Sequence, residues 1–371
     1  MMQLFQASTD ALLKPLLTVV GVVERKSTMP ILSHVLLRKE GAKMAFVAYD
    51  MLIQITTHAD FGVGDDVEKV TVAARKLQDI LRALPAAGEV SATIADDKMS
   101  IQCGGSRFSL QTMPGRDFPV LAEVEQWKHE FTMSQKALRR LFSMISYAMA
   151  HQDIRYYLNG MLMVLEPGLV RAVATDGHRL AHAAEAVDGL SSEDSLIIPR
   201  KAVGEMLRLL DDSDEPVDIR IADTQICFRF GDIDLISKLV EGKFPDYKRV
   251  IPTDYSLHLP LSREELYNSL QRAAILVSED KLRSIKLHFG ENQLRISSSN
   301  LEQEEAKIEL DLDYDGEPID IGFNVTYLLD VLNMAKTDSV IVSLKQESNS
   351  SAVISLPDNE HFRYVVMPLR I

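Results

Sequence analysis

Val47-Ala48-Tyr49-Asp50 closes an apolar run on a turn residue, and the phrase returns as Val173-Ala174-Thr175-Asp176 and as Ile296-Ser297-Ser298-Ser299-Asn300. Asp176 stands 126 residues after Asp50, and Asn300 a further 124. Two other markers keep the same register. Ala74-Arg75-Lys76, Pro199-Arg200-Lys201 and Phe323-Asn324-Val325 each open an apolar-striped segment, and Phe118-Pro119, Phe244-Pro245 and Met367-Pro368 each follow a strand-like run. Self-similarity at a fixed, domain-sized period means three copies of one structural unit.

Divided at that period, the 371 residues give domains at 1–125, 126–252 and 253–371, each long enough to bury its own core. Every unit reads as two amphipathic helices and several strands. Ser134 precedes Leu138, Leu141, Phe142 and Ile145 at helical spacing, and Ser262 and Glu265 form a capping box ahead of Leu266 and Leu270. In the first unit Ser8, Thr9 or Asp10 caps Leu12, Leu13, Leu16 and Leu17, with Pro15 expected in the first turn or at a bend. Stripes at Leu77, Ile80 and Leu81, at Val203, Met206 and Leu207, and at Leu328, Val331 and Leu332 mark the second helices. Alternation in Val217–Ile221, Ile226–Phe230 and Ile308–Leu312 marks half-buried antiparallel strands. The fold class is therefore α+β: three repeated domains, each two helices packed on antiparallel sheet.

Charge is distributed unevenly. The net charge is −14, made of −2, −3 and −9 in successive thirds, so one end of the chain is far more acidic than the other. That polarity favours the two ends meeting in an assembly, and the overall sign excludes a protein that grips nucleic acid by bulk attraction. Basic residues are gathered on helices instead: Lys136, Arg139 and Arg140 fall at i, i+3 and i+4, and Arg75 and Arg82 one heptad apart. Cys103 and Cys227, 124 residues apart, read as equivalent reduced strand positions. No apolar run approaches the roughly 18 residues of a membrane helix, and Met1–Phe5 lacks the zones of a signal peptide, so a cytoplasmic protein is expected.

Several long strings now carry a resemblance. His151-Gln-Asp-Ile-Arg-Tyr-Tyr-Leu-Asn-Gly-Met161, Ala174-Thr-Asp-Gly-His-Arg-Leu-Ala181, Lys238-Leu-Val-Glu-Gly-Lys-Phe-Pro-Asp-Tyr247 and Tyr364-Val-Val-Met-Pro-Leu-Arg-Ile371 closely resemble the bacterial DNA sliding clamp family, the beta subunit of DNA polymerase III. The resemblance covers the whole chain. It implies a non-catalytic processivity factor: a head-to-tail homodimer whose three domains form half of a six-domain ring around double-stranded DNA. Implied partners are DNA polymerases, an ATP-dependent clamp loader, and replication and repair proteins that carry short apolar motifs.

The family likeness also assigns residues. For the dimer interface it implies Lys76, Arg107, Phe108 and Leu110 on one face, and Ile275, Leu276, Glu302, Glu304 and Glu305 on the other; Lys307 and Ile308 depart from the acidic pattern expected there. Arg107–Leu110 reads independently as an edge strand. For DNA it implies Arg25 or Lys26, Gln152, Tyr156 and Tyr157, with Arg75, Arg200 and Lys201 as weaker lining; Tyr156 and Tyr157 fit local packing equally well. For a partner-peptide groove it implies Arg155, Leu158, Thr175, Gly177, His178, Arg179, Leu180, Pro245, Arg249, Val250, Ser351, Val365, Val366, Met367, Pro368, Leu369 and Arg370. An apolar terminus itself points to a groove, while Tyr364 and Val366 are expected to pack inward.

Other chemistries find little footing. His178 and His182 sit at i and i+4, and with Asp176 they define a metal-dependent hydrolase as the alternative, but Asp176-Gly177 is a turn signal and no third ligand stands out. No phosphate-cradling Gly-x-x-x-x-Gly-Lys-Ser/Thr loop occurs, so nucleotide hydrolysis, cofactors and metals are not expected. A monomeric protein-binding repeat scaffold is the third reading.

Overall fold

The computed structural model describes residues 2–24, 28–64, 67–252, 254–277, 279, 282–347 and 349–370. Among them are six α-helices: α1 (Thr9–Val20), α2 (Ala74–Ala83), α3 (Gln135–Ile145), α4 (Arg200–Leu209), α5 (Arg263–Ala274) and α6 (Val325–Met334). Caps appear where hydroxyl and amide side chains precede apolar stripes. Ser8 accepts from the Ala11 amide, Ser262 from Glu265 and Asn324 from Thr326, each satisfying one of the amides a helix start leaves orphaned. Pro15 is not in the first turn, one of the two places expected for it. It lies inside α1, past the first turn, where its ring removes a hydrogen bond at a cost of about 3 kcal/mol; burial of Leu12, Leu16, Val19 and Val20 offsets that cost.

Three antiparallel sheets organise the strands. The largest has 12 strands, and its seam pairs Ile53–Ala59 of the first repeat with Ile233–Lys238 of the second, Leu235 opposite Ile55. A sheet of 8 strands has a second seam, Arg179–Ala186 of the second repeat against Asn359–Val366 of the third, with Arg179 opposite Val366. The remaining sheet has 4 strands in the order Glu305–Asp311, Gln293–Ser299, Ser284–Gly290, Ile319–Asn324. Sheets thus bridge successive repeats, and the chain falls into two compact units: 1–136 with 204–239, and 137–203 with 240–371.

The first unit holds the 12-stranded sheet with α1 and α2 packed together. Arg208 ties the end of α1 to the second repeat: its Nη2 donates to the Thr18 carbonyl at 2.6 Å and its Nη1 to Leu17 at 3.2 Å, while Glu205 holds the guanidinium at 2.7 Å. A cation on the last carbonyls of a helix satisfies orphan acceptors and the helix dipole together. Arg208→Ala should therefore lower stability by about 1 kcal/mol, read as a lower denaturation midpoint; an unchanged midpoint would show the cap to be idle. Cys103 and Cys227 are free and buried, each on a strand, and burial pushes the Cys227 thiol up to about 11.

The second unit holds the other two sheets, and the C-terminal segment runs between them. Tyr364 and Val366 are fully buried, as their apolar neighbours predict. Beyond them the Met367 amide donates to the His178 carbonyl at 2.9 Å, and the Leu369 amide to Gly322 at 2.8 Å. The terminus is therefore a hydrogen-bonded strap, joining the 8-stranded sheet to the edge strand Ile319–Asn324. Ile371 lies outside the described residues.

Candidate functional site

The groove in the second unit is built from a turn. After Thr175 the chain reverses through Gly177 at φ 90°, a left-handed conformation that favours glycine. Asp176 Oδ1 accepts from the amides of His178 (2.9 Å) and Arg179 (3.1 Å), and Thr175 Oγ1 accepts from Gly177 and donates to the Arg179 carbonyl. A Cβ on Gly177 would stand 3.1 Å from Arg155 Nη1, so the missing side chain also lets Arg155 lie across the turn. Arg155 is fixed by a bidentate pair with Asp153 at 3.0 and 2.8 Å and by the Asp176 carbonyl at 3.2 Å. Hydrogen bonds from Arg155 hold the Asp153 carboxyl down to about 2.

These residues open onto a cavity of about 220 Å³ lined by Arg155, Tyr157, Leu158, Thr175, Gly177, Arg179, Leu180, Phe244, Pro245, Tyr247, Val250, Val365 and Met367. Its floor is a buried cluster that includes Leu158, Val173, Leu180, Ile197, Phe244 and Val365. Apolar walls with a few fixed polar groups suit the side chains of a short peptide. Phe244 and Tyr247 are not among the residues the resemblance implies; the aromatic of the repeated Phe244-Pro245 marker was the available signal. Tyr157, expected on the DNA side, lines this cavity, with Tyr156 edge-on at 5.9 Å and mostly exposed.

Other expected groove residues stand around the cavity rather than in it. His178 stacks on Tyr327 with ring centroids 6.5 Å apart, Arg249 pairs with Asp246 at the surface, and the Ser351 carbonyl accepts from Tyr255. Val366 is buried in the sheet, and Leu369 is taken up by the strap. Pro368 is half-buried and Arg370 exposed.

Beneath Tyr247 lies His182, stacked at 5.8 Å. Arg171 approaches its Nε2 at 3.3 Å; a guanidinium only donates, so Nε2 accepts and Nδ1 carries the proton. Burial first, then Arg171 and Arg363, push the imidazole down to about 4. Those cations repel a metal ion, and the His178 ring is committed to Tyr327, so the pair is not built to share a ligand.

The residues expected to meet DNA divide between the units. In the first, Arg75 reaches the Val23 carbonyl at 3.5 Å and, with Lys76, Glu24 and Ser33, lines a cleft of about 430 Å³; Arg25 and Lys26 lie outside the described residues. In the second, Gln152 is exposed on a left-handed turn (φ 56°), Lys201 is exposed on α4, and Arg200 is held by the Met149 carbonyl at 2.6 Å. Arg140, read from the sequence as part of a basic helix face, forms a bidentate pair with Glu185 at 2.6 and 2.5 Å.

The expected interface residues lie on strand edges and turns. In the first unit, Arg107, Phe108 and Leu110 belong to Ser106–Pro114, which pairs along Ser106–Gln111 on one side and only at Thr112–Pro114 on the other. In the second, Glu305 begins an edge strand, Glu302 and Glu304 sit in the turn before it bonded to Asn300, and Ile275 is 70% exposed with Leu276 half-buried. Lys307 pairs with Glu305 at 3.6 Å, and Ile308 is half-buried opposite Ile296.

Comparison with known proteins places this geometry. Models of the N-terminal, central and C-terminal domains of the DNA polymerase III beta subunit match residues 2–122, 132–246 and 248–370. The beta sliding clamp of Escherichia coli K12 is 40% identical over 369 residues, and that of Vibrio cholerae 39% over 369, each covering 99% of this chain and 100% of the relative. A crystal structure of the DnaN sliding clamp from Pseudomonas aeruginosa bound to griselimycin superposes with a TM-score of 0.95 at 40% identity, covering 100% of both chains. With three domain models in order and full-length relatives at this identity, the chain belongs to the DNA polymerase III beta subunit family, the sliding clamps.

Proposed function

We propose that two copies of this chain close head to tail into a ring around duplex DNA and, without catalysing any reaction, hold polymerases to it. The groove carries this reading furthest: a preformed apolar cavity with fixed arginines suits one hub that takes short apolar motifs from polymerases, the clamp loader, and replication and repair proteins in turn. For closure, the open edge at Arg107–Leu110 meets the acidic edge at Glu302–Glu305 of a second copy, with Lys76 and Ile275–Leu276 beside it. A heterologous contact that closes gives a ring. Lys307 draws on Glu305 within the chain and so softens that contact.

A ring explains how a protein of net charge −14 works on DNA. Retention by topology leaves Gln152, Tyr156, Arg75, Arg200, Lys201 and Arg25 or Lys26 to make light, sequence-blind phosphate contacts that permit sliding. Opening the ring falls to a separate ATP-driven loader. Once loaded, the protein should remain on closed circular DNA and leave within the dead time of gel filtration when that DNA is cut once. Equal loss from both forms would rule out topological retention.

A further inference from the structure

The first seam repeats the construction of the second. Asp50 Oδ1 accepts from the amides of Leu52 (2.9 Å) and Ile53 (2.7 Å), as Asp176 does from His178 and Arg179. Met51 takes the left-handed turn position of Gly177, at φ 74°. The Lys238 amide donates to the Leu52 carbonyl at 2.9 Å, matching Met367 on His178. Leu32, Val47, Phe118 and Leu121 belong to one buried cluster, and 126 residues further on their counterparts Leu158, Val173, Phe244 and Tyr247 form the floor and wall of the groove. One position differs in kind. Gln54, paired across its seam with Ile236, is the counterpart of Leu180, paired with Val365. Leu180 lines the open cavity, and a hydrocarbon side chain cannot hold an amide. Gln54 Oε1 accepts from the Leu121 amide at 2.9 Å and so ties the segment carrying Phe118 and Leu121 down onto the sheet. Residues 118–128 of that segment are neither helix nor strand, and a second tie runs from Gln225 Nε2 to the Ala122 carbonyl at 3.2 Å. The rim above is apolar: Met29 and Met51, the counterparts of Arg155 and Gly177, are 43% and 45% exposed, and Val120 is 56% exposed. Methionines on an exposed rim can repack around varied apolar ligands.

We propose that the first seam is a second docking site for short peptides with adjacent large apolar side chains, kept closed by the hydrogen bond from the Leu121 amide to Gln54. A ligand enters when the segment lifts, and its side chains replace Leu121 against the same apolar floor beside the methionine rim. Tyr49, where Thr175 stands, makes that floor shallower. Opening breaks the Gln54 hydrogen bond, so the closed site binds about tenfold more weakly than it would without that tie. This inference rests on the groove of the second unit being a peptide site.

The test uses full-length protein, isotope-labelled at its methionine methyl groups, titrated with an unlabelled acetylated decapeptide ending in Leu-Phe and followed by NMR. Met367 reports on the groove of the second unit, and Met29 and Met51 on the first seam. A Met367 signal that never moves would defeat the groove reading and this proposal with it. Given that movement, Met29 and Met51 should shift in a separate, weaker phase, and Gln54→Leu should tighten that phase about tenfold while leaving the Met367 phase in place. Gln54→Ile, also without an acceptor, should act likewise and serves if the Leu variant does not fold. Gln54→Glu keeps the acceptor oxygen and should keep the weak phase. Met51→Asp places a charge on the rim at a turn position that Asp tolerates, and there the Met29 shift should vanish while Met367 still responds. Met29 and Met51 signals that stay still in Gln54→Leu while Met367 moves, a weak phase that the Leu and Ile variants leave unchanged, or one that survives Met51→Asp, would overturn the proposal and leave the groove reading standing.

Discussion

Arg179→Ala should destabilise the unit that carries the groove by about 3 kcal/mol and abolish peptide capture together. The loss has several sources. Two carboxylates, Asp176 and Asp330, lose their shared cation, and the Tyr147 carbonyl loses a charge-assisted donor. Stacking on Tyr327 is lost as well. Burial opposes the charge on Arg179, yet Tyr364, Asp330 and Asp176 outweigh it and raise its already high pKa, so the residue is bound more firmly as a cation than water would bind it. Removing it leaves uncompensated charge beside the half-buried ring of Tyr147 and the buried ring of Tyr364, which pack 5.6 Å apart. Denaturation monitored by tyrosine fluorescence, with peptide titration alongside, checks both halves. Wild-type stability with lost binding would mean that Arg179 serves the ligand alone.

Acid should weaken the same unit over a window set by His182. Its imidazole titrates near 6.5 in the unfolded chain and at about 4 when folded, because burial, Arg171 and Arg363 disfavour the charged form. Glu166 acts the other way, and His361 adds to the penalty. Between those values the unfolded chain binds a proton that the folded chain refuses, so stability falls as pH falls from 6.5 and levels off below 4. The full loss is on the order of 3 kcal/mol. Asp153, held down to about 2, gives up its own contribution only below about 3.8 and so leaves this window clear. His182→Gln, neutral throughout, should flatten the decline; an unchanged slope in the variant would assign it to other groups. Tyr247 stacks on His182 and lines the groove, so peptide affinity of the folded protein should hold through this window and fall only near pH 4, where the folded imidazole takes up its proton.

The repeats, the capped helices and the inward-facing Tyr364 and Val366 were legible in the sequence because each is a local pattern with a fixed period. Residues brought together by the turn at Asp176-Gly177 were legible only through family likeness. Arg155, Thr175, Leu180, Pro245, Val365 and Met367 all line the cavity, but no spacing connects Arg155 with Met367. What escaped was pairing across the sheets. Asp330 on α6 looks like any polar helix residue until its contact with Arg179 is seen, and Arg140 looks like a free cation until Glu185 is found opposite. Local propensity favours Pro15 in a first turn over a place further inside α1, and the apolar face packed beneath it overrides that preference.

The seams between repeats carry a consequence for descent. Because Ile53–Thr57 pairs residue for residue with Ile233–Ser237, a one-residue slip of either strand would turn its own inward-facing side chains toward solvent. The repeats are therefore answerable to one another, and an insertion tolerated within a loop would break the register of either seam. Such a chain drifts as a single inheritance, whatever its threefold origin.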